Sequence, residues 1–136
     1  MKIRLIKFDD KVKVPVRAHS SDTGADVFMP CGGYIGAGET GVIPLGIGIE
    51  IPNGYSARLQ IRTSIAMKGI IVQGCAIDAG YTGELHGIFH NMSKNTFSWM
   101  KGDKLCYIEV YPTVYPDFVE NLGKERQTDK FGSTGR

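Results

Sequence analysis

Apolar and polar residues alternate along much of the chain with a period of two. Between Ile43 and Ile51 every odd position is apolar, while Pro, Gly and Glu occupy the even positions. This pattern predicts a half-buried β-strand. After the turn Pro52-Asn53-Gly54 the alternation resumes from Tyr55 to Ile61, and the two segments together predict an antiparallel hairpin.

Shorter apolar segments bounded by turn residues predict further strands at 3–7, 69–73, 83–90 and 105–111. One short helix is expected over 63–68. The chain has 136 residues, with 18 glycines and 6 prolines, which suits one all-β domain, a jelly-roll-like sandwich or barrel. We expect this domain to span 1–120, followed by a mobile C-terminal lid segment, 121–136, whose composition is too polar to bury itself.

Charge and hydropathy exclude several functional classes. The net charge is only +2, so a dedicated nucleic-acid binder is not expected. Charges interrupt every apolar pair of the N-terminal MKIRLIKFDD, and no apolar segment approaches the roughly 18 residues of a membrane helix. We therefore expect a cytoplasmic protein with no membrane partner.

Three groups of residues could suggest a metal, redox or dinucleotide site, but the surrounding sequence does not support any of them. Cys31, Cys75 and Cys106 are widely spaced and lack a C-x-x-C pair, so we expect reduced, packed thiols. His86 and His90 would share a face only on a helix, and their surroundings favour a strand instead. The glycines of GAGETG at 36–41 fit a dinucleotide motif, yet the strand pattern that follows predicts only a turn.

Three polar clusters are candidates for chemistry. Asp26 lies two residues after Gly24 and could meet a hydrated cation, or it could cap a turn. Arg62, Thr63 and Ser64 begin the predicted helix, where a guanidinium and two hydroxyls suit phosphate oxygens, although a helix N-cap alone would explain either hydroxyl. Asp78 directly follows an apolar strand beside a glycine-rich turn, a position suited to a general base or to a simple turn former.

The order of these clusters resembles the trimeric dUTPases. The segments TGADV, IRTSIA, CAIDAGYTGEL, KGDKLCYI and ERQTDKFGSTG are similar, in order and with closely matching separations, to the five motifs of that family. The resemblance implies an enzyme that hydrolyses dUTP to dUMP and pyrophosphate with Mg²⁺. It also implies a homotrimer whose sites combine motifs from all three chains, and a role in keeping uracil out of DNA and supplying dUMP for thymidylate synthesis.

The resemblance also implies individual roles. Asp78 would deprotonate the water that attacks the α-phosphorus, and Asp26 would reach the metal through coordinated water. Tyr81 would lie against the deoxyribose and leave no room for a 2′-hydroxyl. The remaining implied substrate contacts are Arg62, Thr63 and Ser64 to the phosphates, and the backbone of Gly74, Cys75, Ala76 and Ile77 to uracil. In the tail they are Arg126 to the terminal phosphate, Phe131 over the base, and Gly132, Ser133 and Thr134 to the triphosphate.

The chain departs from the family pattern at four places. Thr63 stands where serine is usual, and Cys75 replaces a usual glycine. Tyr107 occupies the place of a phosphate-contacting glutamine, so it is left out of the predicted site. The segment 127–130 is QTDK where glycine is common, which predicts a stiffer lid.

Two alternatives share the fold. A dCTP deaminase relative would need additional groups to activate water against the pyrimidine C4, and no convincing Glu and Arg pair is found. A nucleotide-sensing regulatory module would bind without turnover, but a pure binder has no need of a base such as Asp78. A basic nucleic-acid tail is disfavoured because acidic residues interrupt it.

Overall fold

The computed structural model describes residues 1–73 and 75–123, and this part of the chain contains ten strands and one helix. Their bounds are β1 Arg4–Lys7, β2 Ala25–Phe28, β3 Gly33–Ile35, β4 Thr40–Pro44, β5 Ile47–Glu50, β6 Tyr55–Ile61, α1 Thr63–Ala66, β7 Ile70–Gln73, β8 His86–Asn91, β9 Phe97–Trp99 and β10 Lys104–Pro112.

The strands form four small antiparallel sheets. Their orders are β1-β5, β2-β10-β6, β3-β9 and β4-β8-β7. Sequence neighbours are therefore mostly not sheet neighbours, and the chain returns over long connections, as in a jelly roll. The predicted all-β class with one short helix is confirmed.

One continuous core lies between the sheets. Its fully buried side chains include Val27, Met29, Leu45, Ile47 and Phe89. Burial of each large apolar side chain contributes about 1.5–3 kcal/mol. The alternating residues of the sequence thus place their apolar set inside, as the period of two predicts.

The long strand predicted from the alternation is in fact two strands, β4 and β5. Leu85 accepts a backbone hydrogen bond from Leu45 and donates one to Ile47 (2.9 and 2.8 Å). Gly46 between them is therefore excluded from this ladder and adopts a φ of 75°. Its buried N–H donates instead to Glu84 Oε2 at 2.9 Å. An apolar pattern cannot reveal this break, because both residues flanking the glycine still point inward.

The predicted hairpin between these strands and β6 is wrong. β5 pairs with β1, whereas β6 pairs with β10. The intervening turn does form, since Tyr55 N donates to Pro52 O at 3.2 Å. The alternation specified which face each strand buries, but it carried no information about the pairing partner.

Most other predicted elements are confirmed with small shifts. β1, β7 and β10 lie within one or two residues of their predicted bounds, and β8 begins later than predicted. The helix ends at Ala66. The glycine motif at 36–41 forms a turn, in which Glu39 N donates to Gly36 O, and then enters β4. The short strands β2, β3 and β9 were not predicted.

The prediction of reduced thiols is confirmed for all three cysteines, but the prediction that they are packed is wrong for two. All three are free, but only Cys106 is buried, while Cys31 and Cys75 are exposed. His90 lies on strand β8, as predicted, and contacts Thr40 Oγ1 at 2.8 Å. Within the described residues, no helix has the length and apolar character needed to cross a bilayer.

Replacing Gly46 by Ala should cost more stability than the same change at Gly38. Both glycines have φ near +75°, which costs an L-residue about 1–2 kcal/mol. A Cβ at Gly38 meets nothing within 4 Å, whereas one at Gly46 would lie 2.8 Å from Val12 Cγ2. We expect Gly46→Ala to lower the free energy of unfolding by about 1–3 kcal/mol more than Gly38→Ala, measured by urea denaturation. Equal losses would contradict the close packing at Gly46.

Candidate active site

The predicted site residues that the structure describes lie in two separate clefts. The first, the Asp78 cleft, has a volume of about 270 Å³ and is lined by Leu59, Gln73, Cys75, Ala76, Ile77, Asp78, Tyr81, Glu84, Leu85, His86 and Ile88. The second, the Asp26 cleft, has a volume of about 440 Å³ and is lined by Ala18, Asp22, Thr23, Gly24, Asp26, Arg62, Thr63, Ser64 and Tyr107.

A short backbone bridge positions Asp78. Ile77 donates to Ala57 O and accepts from Ala57 N, at 2.7 and 3.1 Å. Asp78 follows directly, and its carbonyl accepts from Tyr81 N at 3.2 Å to close a tight turn. Gly80 within this turn has a φ of 87°, which glycine adopts at little cost. These backbone bonds place Asp78, which is exposed, in the lining of the cleft.

Tyr81 forms a wall of the same cleft. Its hydroxyl donates to the carbonyl of Glu84 at 3.2 Å. The ring lies against Gly83, where any Cβ would come within 2.7 Å of the Tyr81 ring. The aromatic face, together with Leu59 and Ile77, suits a flat heterocycle or a sugar that lacks polar substituents on one side.

Two cations flank the Asp26 carboxylate. Arg62 Nε and Lys104 Nζ each lie 3.8 Å from one of its oxygens, and the side chain is 16% exposed. Among the described residues, no hydrogen bond to these oxygens is present. The carboxylate can therefore still accept hydrogen bonds from water. The two cations beside it also make this cleft favourable for a bound anion.

Strand β6 delivers Arg62 to the Asp26 cleft. Arg62 N donates to Leu105 O at 3.0 Å, and its guanidinium donates to Lys104 O at 2.9 Å. Arg62 itself is the N-cap of α1, and no side chain caps the helix. Thr63 and Ser64 are exposed and do not serve as N-cap residues, so the simple capping alternative is not observed.

Tyr107 and Lys104 lie beside Asp26 although neither was among the predicted site residues. The ring of Tyr107 lies over Gly24, where a Cβ would overlap it and would also lie 2.7 Å from Ile108 O. This contact explains the glycine that precedes Asp26 by two positions. Lys104 lies in the segment KGDKLCYI, but its place beside Asp26 comes from the pairing of β10 with β2.

A single chain does not bring the two clefts together. Ala57, which pairs with Ile77, and Arg62 are five residues apart along β6 and its end, a span of about 16 Å in extended backbone. The linings of the clefts share no residue. Asp78 therefore does not join Asp26 and Arg62 in one cavity of this chain. Six predicted site residues lie outside the described part of the chain: Gly74, Arg126, Phe131, Gly132, Ser133 and Thr134.

The chain matches a known family over nearly its whole length. The family model dUTPase covers residues 10–135. A deoxyuridine 5′-triphosphate nucleotidohydrolase of Clostridium tetani is 36% identical, covering 100% of this chain and 97% of the relative. Another, from Trichodesmium erythraeum, is 33% identical and covers 99% of each chain.

Solved structures show the same fold. The dUTPase of phage phi11 of S. aureus superposes with a TM-score of 0.84 at 22% identity, over 92% of this chain and 99% of that one. The dUTPase of Staphylococcus bacteriophage 80alpha, solved with dUpNHpp, gives a TM-score of 0.82 at 22% identity, over 99% of each chain. A variant of the phi11 protein is described with a structural Mg(II) ion.

The chain belongs to the dUTPase family. It is accordingly a nucleotide hydrolase, a dUTP diphosphatase of jelly-roll fold.

The three cysteines should differ sharply in reactivity. Burial, followed by the nearby Asp26 charge, raises the pKa of Cys106 to about 12, so its thiol stays protonated at pH 8 and a thiol does not react as a nucleophile. We expect native protein to be alkylated at two thiols, Cys31 and Cys75, and at the third only in denaturant, as measured by mass spectrometry.

A Cys31→Ser/Cys75→Ser variant provides the control. It should show no native labelling and one label after unfolding. Labelling of native Cys106 at the rate of an exposed thiol would contradict the burial assigned to it.

Proposed function

We propose that Asp78 is the general base that activates water for in-line attack on the α-phosphorus of dUTP, releasing pyrophosphate and leaving dUMP. The observation that carries this proposal is that Asp78, an exposed carboxylate, lines a cleft walled by an aromatic ring and apolar side chains. In the cell this reaction would keep uracil out of DNA and supply dUMP for thymidylate synthesis.

Recognition of the nucleoside falls to the Asp78 cleft. The Tyr81 ring would lie against the deoxyribose, where a 2′-hydroxyl would lose hydration without gaining a partner. The N–H of Ile77 is already donated to Ala57, so we assign its side chain to the wall. Polar contacts to the uracil edge would then come from the backbone of Gly74, Cys75 and Ala76.

The triphosphate would bind in the Asp26 cleft of the assembled enzyme. Arg62 offers a guanidinium suited to bidentate contact with phosphate oxygens, and the exposed hydroxyls of Thr63 and Ser64 offer further donors. Lys104 adds a second cation near the same place. In the tail, Arg126, Phe131, Gly132, Ser133 and Thr134 would complete the contacts.

The Asp26 cleft also fits a magnesium ion bound through water. Mg²⁺ keeps several waters and uses one or two carboxylates plus substrate phosphates, and Asp26 has carboxylate oxygens with free acceptor capacity beside the phosphate-binding cations. When bound, the ion would offset the negative charge that develops on the phosphates. Asp26 would hold its waters, while Arg62 orients the phosphate chain.

The chemistry requires no covalent intermediate. Asp78 accepts the proton of the attacking water, and positioned cations neutralise charge on the departing pyrophosphate. Holding water, phosphorus and leaving group in line supplies much of the remaining acceleration.

We further propose a homotrimer in which the Asp78 cleft of one subunit faces the Asp26 cleft of another. Two observations support this arrangement. Ala57, which pairs with Ile77, lies five residues from Arg62, about 16 Å of extended backbone, and the two clefts share no lining residue. Head-to-tail contacts that close into a ring would give three equivalent composite sites.

Asp78→Asn should lower turnover of dUTP by roughly 10²-fold or more, the effect expected for loss of a positioned base. Binding of a non-hydrolysable α,β-imido analogue of dUTP should remain nearly unchanged, since the amide keeps the shape of the carboxylate. A pyrophosphate-release assay with Mg²⁺ over dUTP, dTTP, dCTP and UTP measures both rate and selectivity. Near wild-type turnover by Asp78→Asn would remove the residue from its assigned role.

Mixing two inactive variants tests the composite site. Asp78→Asn and Arg62→Ala chains, refolded together in equal amounts, would place both intact groups at about one quarter of sites if each site uses two chains. We expect recovery of about that fraction of wild-type activity. If base and cation came from one chain, every site would carry one defect and the mixture would remain as inactive as each variant alone.

A further inference from the structure

Glu84 joins the Tyr81 ring to the body of the fold. Its Oε2 accepts from Gly46 N at 2.9 Å, and its carbonyl accepts from the Tyr81 hydroxyl at 3.2 Å. One residue thus connects the break between β4 and β5 with the aromatic wall of the Asp78 cleft.

The Gly46 end of this connection is firmly held. The Gly46 carbonyl accepts from Phe8 N and Asp9 N, at 2.8 and 3.2 Å. The glycine is buried, and Val12 packs so closely that no Cβ could be added without a shift. Its N–H lies outside the ladder that Leu85 makes, so the Glu84 carboxylate is the group that satisfies it.

The Tyr81 end is held by weaker contacts. The Gly83 and Thr82 carbonyls pass close to Gly48 on β5. The ring itself is about half exposed (49%), so packing covers only part of its surface. The hydroxyl bond to the Glu84 carbonyl and the ring's contact with Gly83 are the contacts that hold the ring at its position in the cleft.

We propose that Glu84 is a positioning residue for sugar selectivity: by tying the 81–85 loop to Gly46 it holds the Tyr81 ring where a 2′-hydroxyl would not fit. This inference rests on the proposed role of Tyr81 against the deoxyribose. The Glu84 carboxylate is bonded to Gly46 and its carbonyl to the Tyr81 hydroxyl. Glu84 therefore acts on the sugar through Tyr81. Discrimination between dUTP and UTP therefore depends on a residue of the cleft lining whose carboxylate is bonded to Gly46.

The test compares selectivity across matched variants. Glu84→Ala removes the bond to Gly46, whereas Glu84→Gln keeps a side-chain oxygen that can accept it. Glu39→Ala is the control, because Glu39 Oε1 makes the same type of bond to Gly36 N, at 2.9 Å, away from both clefts. The measured quantity is the ratio of kcat/KM for dUTP to that for UTP.

We expect Glu84→Ala to lower this ratio about tenfold, the change that corresponds to one hydrogen bond. Glu84→Gln and Glu39→Ala should keep it within about twofold of wild type. An unchanged ratio in Glu84→Ala would overturn the proposal. So would a loss in Glu84→Gln equal to that in Glu84→Ala, because charge and not anchoring would then matter.

Tyr81→Phe tests the other half of the connection if Glu84→Ala does not fold. It removes the hydroxyl bond to Glu84 and leaves Gly46 satisfied, and it should lower the ratio in the same direction. Where both variants fold, the double variant should be no less selective than Glu84→Ala alone, since the two changes break one connection. Additive losses would contradict a single chain of contacts.

Failure of the proposed function would be visible separately. If wild-type protein released no pyrophosphate from dUTP, the proposed reaction would fall, and the Kd values for α,β-imido analogues of dUTP and UTP would replace the kinetic ratio. Equal binding of the two analogues by wild type would overturn the Glu84 proposal itself, because there would be no sugar discrimination to maintain.

Discussion

The backbone pairing of Ile77 with Ala57 is the constraint on which the site depends. It fastens the loop that carries Asp78 to β6 near the beginning of that strand, and β6 then runs on to deliver Arg62 from its other end. A strand is extended, so its length sets the backbone spacing between the two attachment points. The proposed base and the groups proposed to hold phosphate line separate clefts of one chain, and the proposed composite site would bring them together.

Close backbone approaches shape both clefts. In the Asp26 cleft, Gly24 lets the Tyr107 ring lie directly over the chain, and in the Asp78 cleft Gly83 does the same for Tyr81. A side chain at either glycine would displace the aromatic ring that lies against it. Glycine is therefore required at these two positions by close packing, and not by a positive φ in a turn. The Glu84 bond to Gly46 adds a third case, in which a polar side chain replaces a missing ladder bond.

Local pattern was enough to predict the fold class, several strands and the α1 region, because alternating burial and turn residues act over a few positions. The pairing of strands was not predictable in this way. The expected hairpin of β5 with β6 failed since β1 and β10 compete for the same edges from distant parts of the chain. Likewise, β2 was missed because four residues with an aspartate at their centre look like a turn until β10 lies beside them.

The sequence by itself determined the family, through ordered polar motifs whose residue types suit phosphate, a cation and a pyrimidine nucleoside. It also determined which side of each long strand faces the core, because that depends only on the period of side-chain direction. Only the tertiary structure decided that Asp26 lies between Arg62 and Lys104, that Tyr107 lines the Asp26 cleft and that Glu84 is bonded to both Gly46 and Tyr81. These contacts either join residues far apart in the chain or depend on the single hydrogen bond between Glu84 and Gly46. Contacts of that kind arise only from packing in three dimensions.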